Sequence, residues 1–178
     1  HARTVELVAQ QPRVVAALVQ DDRQLALQVE RDLSAYFPLS LDVRLLQAGI
    51  NETNGDLRPR LGYADLAMIR ASEAAAAPPD VAVHVMGTED QHISMIHRVL
   101  DADGKTVVGH VMVLFDVSLL QKLLNTIGIS SGYAVLQQVT QDDTIHMVQV
   151  LGDQRWQEPG GAYRFAIAGS SWSVAYWP

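Results

Sequence analysis

The sequence contains no cysteine and very little lysine, and both shortages narrow the range of functions. Without cysteine the chain forms no disulfide and has no thiolate nucleophile, a composition compatible with an oxidising compartment. Only Lys105 and Lys122 are lysines, and the formal net charge is −7. Binding to nucleic acid requires clustered cations opposite the phosphates. We therefore expect no nucleic acid partner.

Long apolar runs are also missing. No segment reaches the roughly 20 apolar residues that a membrane helix needs, and the first residues have no signal-peptide pattern. We expect the chain to belong to a longer protein and to be attached to a membrane by flanking segments that it does not itself contain. Its 178 residues, 48% of them hydrophobic, are enough for one sizeable core. A single domain over residues 1–178 is the prediction.

Hydrophobic periodicity predicts an α+β fold with a long N-terminal helical segment. Residues 2–37 have a helical pattern with breaks at Pro12 and at "QDDRQ". The body, residues 41–178, adds one strand, a helix from Gly62, and then strands interrupted by a helix near Leu119. The predicted strands are 41–47, 81–86, 92–100, 106–115, 133–140, 145–151, 163–169 and 172–177. This order favours a meander-like antiparallel sheet over alternating βαβ units.

The stretch "HVMVLFDVSLLQKLL" changes from a strand pattern to a helix pattern at Asp116. A strand-to-helix junction needs a side chain that accepts hydrogen bonds from the first free amides of the helix. Asp116 or Ser118 meets that need, so we interpret Asp116 as a hinge rather than as a catalytic carboxylate.

Five internal histidines, at positions 84, 92, 97, 110 and 146, raise the question of a metal site. His92 and His97 are an odd number of residues apart on one strand, so they point to opposite faces. The sequence has no cysteine ligand and no His-x-x-x-His helical pair. We predict no metal, with the histidines satisfied by hydrogen bonds. "GSSWS" lacks the nucleophile pattern G-x-S-x-G. We therefore predict no catalytic residue and no cofactor.

The turn "DADGKT" joins two strands, and its register decides which side chains share a face. A two-residue turn pairs His97 with His110, whereas a three-residue bulged loop with Gly104 left-handed pairs Ile96 with His110. The bulged loop separates the faces better, so we favour it. It places the following residues on an apolar face: Ile93, Met95, His97, Val99, Val107, Val111, Val113 and Phe115. The other face, called here the mixed face, carries His92, Ser94, Ile96, Arg98, Leu100, Val108, His110, Met112 and Leu114. His97 then becomes a predicted core histidine.

The mixed face has the composition of a ligand-pocket floor, apolar with a few polar groups. The helix from Gly62 supplies Tyr63 and Arg70, seven residues apart and so on one helix face. Together with Ser94, Arg98 and His110 they form the predicted ligand site, whose guanidinium groups suit a small carboxylate or phosphate. The alternative is that the helix covers the mixed face and leaves both arginines on the surface.

The N-terminal helices carry more apolar side chains than one sheet face is expected to cover. These are Val5, Val8, Val15, Leu18, Val19, Leu25, Val29 and Leu33. Uncovered apolar stripes tend to pair. We therefore expect a homodimer through these helices.

Three segments in succession, "VVAALVQDDRQLALQVERDL", "LDVRLL" and "DADGKTVVGHVMVLFDVSLLQKLL", resemble the single Cache (PAS-like) extracytoplasmic sensor domains of bacteria. The stretch "LGYADLAMIRASEAAAAPPDVAVHVMGTEDQHISMIHRV" and the closing "W-VAY-P" look like the N-terminal extension of the long, membrane-attached form of bacterial phosphomannomutase/phosphoglucomutase, over about residues 44–178. The resemblance implies a periplasmic domain tethered by membrane helices to a cytoplasmic mutase. The mutase's phosphoserine loop and metal loop have no counterpart here.

The resulting hypothesis is a non-catalytic extracytoplasmic sensory or regulatory domain that binds a small ligand and acts on a cytoplasmic module. Two alternatives are a ligand-free dimerising spacer and the sensor domain of a kinase, cyclase or chemoreceptor. An enzyme using His and Asp residues of the mixed face is a further alternative. A pocket over Arg98 and His110 favours the sensor, and a mixed face filled by side chains favours the spacer.

Overall fold

The protein is described here by a computed structural model that covers residues 1–75, 77–84, 87–127, 131–139, 145–157, 161–168 and 170–178. Its contacts divide the chain into two compact units, residues 1–116 and 117–178. The single domain over residues 1–178 stays a prediction. Among the described residues, no helix combines the length and the apolar character needed to cross a membrane.

The N-terminal segment forms three helices, α1 (Ala2–Ala9), α2 (Pro12–Val19) and α3 (Arg23–Ser34). Pro12 occupies the first turn of α2, where its missing N–H costs nothing. The carboxylate of Asp22 accepts hydrogen bonds from the amides of Gln24 and Leu25 and so caps α3. The helical segment and both of its expected breaks are confirmed.

The first unit contains a four-stranded antiparallel sheet with α4 (Tyr63–Ala74) inserted before its second strand. The strands are β1 (Ser40–Gln47), β2 (Ala82–His84), β3 (His92–Leu100) and β4 (Val107–Phe115), in the order β1-β4-β3-β2. Helix α4 packs on the mixed face, where Leu66 and Ile69 join Ile96, Met112 and Leu114 in one apolar cluster. The N-terminal segment packs on the other face.

The β3–β4 hairpin differs from the predicted register but keeps the predicted faces. Gly104 has φ +73°, as expected. The Asp101 amide, however, donates to the Thr106 carbonyl, so the loop comprises residues 102–105 and is one residue longer than predicted. A bulge at Val99/Leu100 shifts the register by one more residue and pairs Arg98 with His110. Neither predicted pairing is therefore right. The longer loop and the bulge each shift the register by one residue from the predicted bulged loop, which makes two residues in total. Because side chains alternate with a period of two, the residues beyond the bulge keep their predicted faces.

The Asp101 side chain explains the longer loop. Its carboxylate accepts hydrogen bonds from the amides of Lys105 and Thr106, at 3.0 and 3.1 Å. These bonds give both amides an acceptor within the loop. In a tighter turn the same amides would have had other hydrogen-bond partners.

The second unit is a smaller α+β body. It begins with α5 (Ser118–Ile127) and contains β5 (Tyr133–Val139), β6 (Ile145–Gly152), a short 3-10 helix (Gln154–Trp156), β7 (Tyr163–Ala166) and β8 (Trp172–Trp177). Its antiparallel sheet has the order β6-β5-β8-β7. Since β4 ends at Phe115 and α5 begins at Ser118, the hinge position of Asp116 is confirmed.

The strands therefore form two sheets rather than one meander, which corrects part of the prediction. Strand β4 already has β1 on one side and β3 on the other. Because both of its hydrogen-bonding edges are occupied, the next strand along the chain has no place beside it. The α+β fold class with a long N-terminal helical segment is confirmed.

Most of the apolar residues expected to remain uncovered are buried within the first unit. Val5, Val8, Leu18, Val29 and Leu33 are each at most 4% exposed. The sheet and the neighbouring helices cover them, so the premise of a large leftover stripe is wrong for these positions. The large apolar side chains that do remain exposed on α1 and α2 are Leu7, at 57%, and Val19, at 59%.

Candidate functional site

The five predicted ligand-site residues lie in different environments. Tyr63 is 84% exposed and Arg70 is also exposed, both on α4. Ser94 and His110 are fully buried on the mixed face, beneath α4. Arg98 is half-buried on β3, directly opposite His110. The structure thus pairs Arg98 with His110 in the sheet and leaves Tyr63 and Arg70 on the solvent side of the helix.

Arg98 lines a cavity of about 860 Å³ between the N-terminal helices and the β3–β4 loop, called here the Arg98 cavity. Its remaining lining is Ala9, Gln10, Pro12, Val15, Ala16, Val19, His97, Leu100 and residues 101–104. His97 is half-buried at this cavity, and its Nδ1 donates to the Arg98 carbonyl at 2.9 Å, so it is not the core histidine that was predicted. An apolar wall with a few polar groups and this volume is typical of small-molecule sites.

His110 lacks the hydrogen bonds that were predicted for the histidines. Neither of its ring nitrogens has a partner among the described residues. Burial lowers the pKa of His110 to about 4, because the charged imidazolium loses its hydration. His110 is therefore neutral at pH 7 and carries no positive charge toward an anion.

A second group of polar side chains lies buried at the start of α4. Oδ1 of Asp65 is 2.7 Å from Nδ1 of His84, 3.4 Å from Nε2 of His92 and 3.1 Å from Oγ of Ser94. All four side chains are at most 5% exposed. The ligand atoms of Asp65, His84 and His92 all lie within 4.8 Å of one another, a spacing that could hold a metal ion.

Local structure brings these residues together from three segments. Asp65 occupies the third position of α4, where its Oδ2 accepts the amide of Gly62 and closes the first turn of the helix. Strands β2 and β3 pair so that His84 faces His92 directly. Ser94 follows His92 by two residues and therefore lies on the same face of β3.

The carboxylate of Asp65 is held in its ionised form. Burial alone raises its pKa, but the close contacts with His84 and His92, with the hydrogen bond from the Gly62 amide, lower it by more. The net pKa lies well below the usual value for aspartate. At neutral pH this group of side chains therefore contains a buried carboxylate charge.

No protein-family model matches the chain, and no curated protein matches it. Among solved structures, the chain is similar to the ligand-binding domain of the Pseudomonas fluorescens chemoreceptor CtaA, determined in complex with L-isoleucine. That similarity has a TM-score of 0.54 at 15% identity and covers 98% of this chain and 81% of the other. The two chains share a fold.

The extracellular domain of the predicted histidine kinase rpHK1S-Z16 is also similar. Here the TM-score is 0.49 at 15% identity, and the match covers 98% of this chain and 91% of that one. The fold shared with the CtaA domain agrees with the resemblance to sensor domains that the sequence indicated.

Sequence reasoning missed Asp65 and did not combine His84 with His92. Both histidines were recognised, but the pair tested for a shared ion was His92 with His97, on one strand. The signal that could have found the pair is the antiparallel pairing of two consecutive strands, which sets a residue near the end of the first opposite a residue near the start of the second. The signal for Asp65 was weaker. It is an acidic residue three positions after a glycine at the start of a predicted helix, where its carboxylate can accept the glycine amide.

Proposed function

We propose that this chain is a non-catalytic extracytoplasmic sensory domain that binds a small anionic ligand. The observation that supports this most is the fold shared with a chemoreceptor's ligand-binding domain over 98% of the chain. A fold by itself hosts many functions, so the proposal also requires a site. The Arg98 cavity offers a volume of about 860 Å³, and Arg98, a half-buried residue, is among those that line it.

The ligand chemistry follows from Arg98. Its planar guanidinium forms paired, charge-assisted hydrogen bonds to a carboxylate or phosphate. The apolar side of the cavity, formed by Pro12, Val15 and Val19, suits an aliphatic or similarly apolar ligand body. A small organic acid with an apolar part fits both features. The site predicted from sequence also includes Tyr63, Arg70, Ser94 and His110, none of which lines the Arg98 cavity.

The test is a thermal-shift panel of small carboxylates, amino acids including L-isoleucine, and sugar phosphates, with hits confirmed by calorimetry. Unfolding should be followed by far-UV circular dichroism, because all three tryptophans belong to residues 117–178 and none to the unit that contains the Arg98 cavity. We expect a ligand that stabilises the parent chain but not Arg98→Ala. Arg31→Ala, an exposed arginine on α3, is the matched control.

Arg70→Ala decides how far the site extends. Loss of binding in that variant supports a site that reaches α4, and retention restricts the site to the Arg98 cavity. If no anion stabilises the parent chain, the ligand-free spacer becomes the better hypothesis.

The output module is proposed to be a membrane-attached phosphomannomutase/phosphoglucomutase, with a kinase, cyclase or chemoreceptor as the alternative. The mutase rests on the sequence resemblance alone. The shared fold with the CtaA domain supports the receptor alternative. Under either hypothesis, the chain lies on the periplasmic side of the inner membrane, and membrane helices join it to the output module. Determining the coding sequence on either side of this chain distinguishes the two.

Self-association through the N-terminal helices is part of the same proposal. Its support comes from the exposed side chains of Leu7 and Val19 on α1 and α2, and of Leu27 on α3. Exposed apolar side chains favour association when they lie together on one surface.

A further inference from the structure

The hydrogen-bond directions around His92 call for a positive charge between its ring and Asp65. Nδ1 of His92 lies 2.5 Å from the carbonyl oxygen of Asp90. A carbonyl only accepts, so this nitrogen carries the proton. In neutral imidazole the other nitrogen then has a lone pair and no hydrogen. That nitrogen, Nε2, points at the Asp65 carboxylate from 3.4 Å.

Two acceptors facing each other in a buried site repel unless a cation lies between them. Asp65 is 0% exposed and His92 is 0% exposed, so water does not relieve the conflict by screening. The cation is either a proton, which makes His92 an imidazolium, or a metal ion bound by both groups.

We propose that Asp65, His84 and His92 form a binding site for a divalent transition-metal ion, with zinc as the best match. Two imidazole nitrogens and one carboxylate oxygen are a ligand set that zinc uses when a fourth position is left for water or a small ligand. Magnesium and calcium prefer oxygen ligands alone. The three ligand atoms lie within 4.8 Å of one another, and tetrahedral zinc needs them about 3.3 Å apart, so small movements of the side chains close the site.

The surrounding hydrogen bonds have the arrangement found around metal ligands. A metal-bound histidine usually donates its second ring nitrogen to a carbonyl or carboxylate, which fixes the ring orientation. His92 does this with the Asp90 carbonyl. The Asp65 carboxylate is oriented in turn by the Gly62 amide at 2.9 Å and the Ser94 hydroxyl at 3.1 Å. This site is independent of the Arg98 cavity, and it does not require the chain to be a sensor.

The test is direct binding of Co²⁺ and Zn²⁺ to the purified chain without any organic ligand. We expect one Co²⁺ per chain with a visible spectrum typical of low coordination number, displaced by Zn²⁺, and a higher melting temperature with Zn²⁺ than with chelator. Asp65→Asn and His92→Gln should each weaken binding at least about tenfold. His97→Gln, on the same strand but the opposite face, is the matched control and should bind as the parent does.

Nuclear magnetic resonance of the parent chain provides a readout that does not depend on the variants folding. With Zn²⁺ added, the ring nitrogens of His84 and His92 should shift while those of His97 and His146 stay in place. A His92 ring that remains doubly protonated at pH 7 with Zn²⁺ present overturns the proposal and identifies the cation as a proton. Binding that persists unchanged in both cluster variants overturns it as well. A negative result in the anion panel leaves this proposal unaffected, since the two experiments share no ligand.

Discussion

Arg98 on β3 lies directly opposite His110 on β4, and the two differ sharply in environment. Arg98 is half-buried and lines a cavity, whereas His110 is 0% exposed and its ring nitrogens have no partner among the described residues. The buried imidazole stays neutral at pH 7 because burial lowers its pKa to about 4.

This buried imidazole makes the first unit less stable in mild acid. Between pH 6.5 and about 4 the unfolded chain binds a proton at His110 that the folded chain does not. The free energy of unfolding therefore falls as the pH falls through this window, by about 3 kcal/mol in total. His110→Leu should remove most of this loss. Urea unfolding followed by circular dichroism at pH 7, 6 and 5 measures it, and an unchanged slope in the variant contradicts the prediction. His146→Leu is the control.

Glu30 gives a pH effect of the opposite sign. Burial raises its pKa above 4.5, so just above that pH the folded chain binds more protons than the unfolded chain and becomes more stable as the pH falls. Its Oε1 also accepts the amide of Leu45 at 2.8 Å, on β1 at the edge of the sheet. Glu30→Gln keeps an acceptor and should abolish the pH effect. Glu30→Ala leaves the amide unpaired and should cost about 1–3 kcal/mol at pH 7. Equal unfolding free energies for the two variants would argue against the Leu45 hydrogen bond.

Gly109 is required by close packing between β4, β1 and α2. A Cβ at this position would collide with the Leu46 carbonyl oxygen and would lie 2.8 Å from Cδ2 of Leu18. The carbonyl belongs to the backbone and cannot turn away, so Gly109→Ala should destabilise the first unit by about 1–3 kcal/mol. Gly55→Ala is the control, since a Cβ there meets nothing within 4 Å. Denaturant midpoints that agree for the two variants contradict this account.

Ile69 reports whether α4 fills the mixed face. Its side chain is 0% exposed and packs in the apolar cluster with Ile96 and Met112. Ile69→Ala should cost about 2–5 kcal/mol, because it removes buried methyl groups and leaves a cavity. Ile145→Ala removes the same atoms from a side chain that is 54% exposed and should cost far less. A small loss for Ile69→Ala would indicate an open pocket floor in place of a packed interface.

Self-association is expected to depend on the exposed apolar side chains of α1 and α2. At high protein concentration, sedimentation equilibrium of the parent chain should give a reversible dimer. The double substitution of Leu7 and Val19 by Asp should weaken it, because charge at a contact surface costs desolvation. Leu123→Asp introduces a charge at a side chain on α5 that is 52% exposed and should have no effect. A strictly monomeric parent chain rules out the homodimer.

The sequence by itself determined the secondary structure and the sorting of side chains on the central hairpin. The helix and strand periods are local properties, so β3 was predicted with its observed bounds, His92–Leu100, and β4 within one residue. The faces of the hairpin followed as well, because alternation survives a shift of two residues in register. The shift itself depended on the Asp101 carboxylate, which binds two loop amides and lengthens the turn.

Only the tertiary structure decided how the elements combine. Whether the strands form one sheet or two depends on which edges are still free when each strand is added, and that is not a property of any segment alone. The cluster of Asp65, His84 and His92 arises because α4 docks on the face where the β2–β3 pairing sets two histidines opposite each other. The same docking buries Ser94 and His110 and turns Tyr63 and Arg70 toward solvent. Docking is set by the packing of Leu66 and Ile69 on the sheet, a contact between distant parts of the chain that no local pattern specifies.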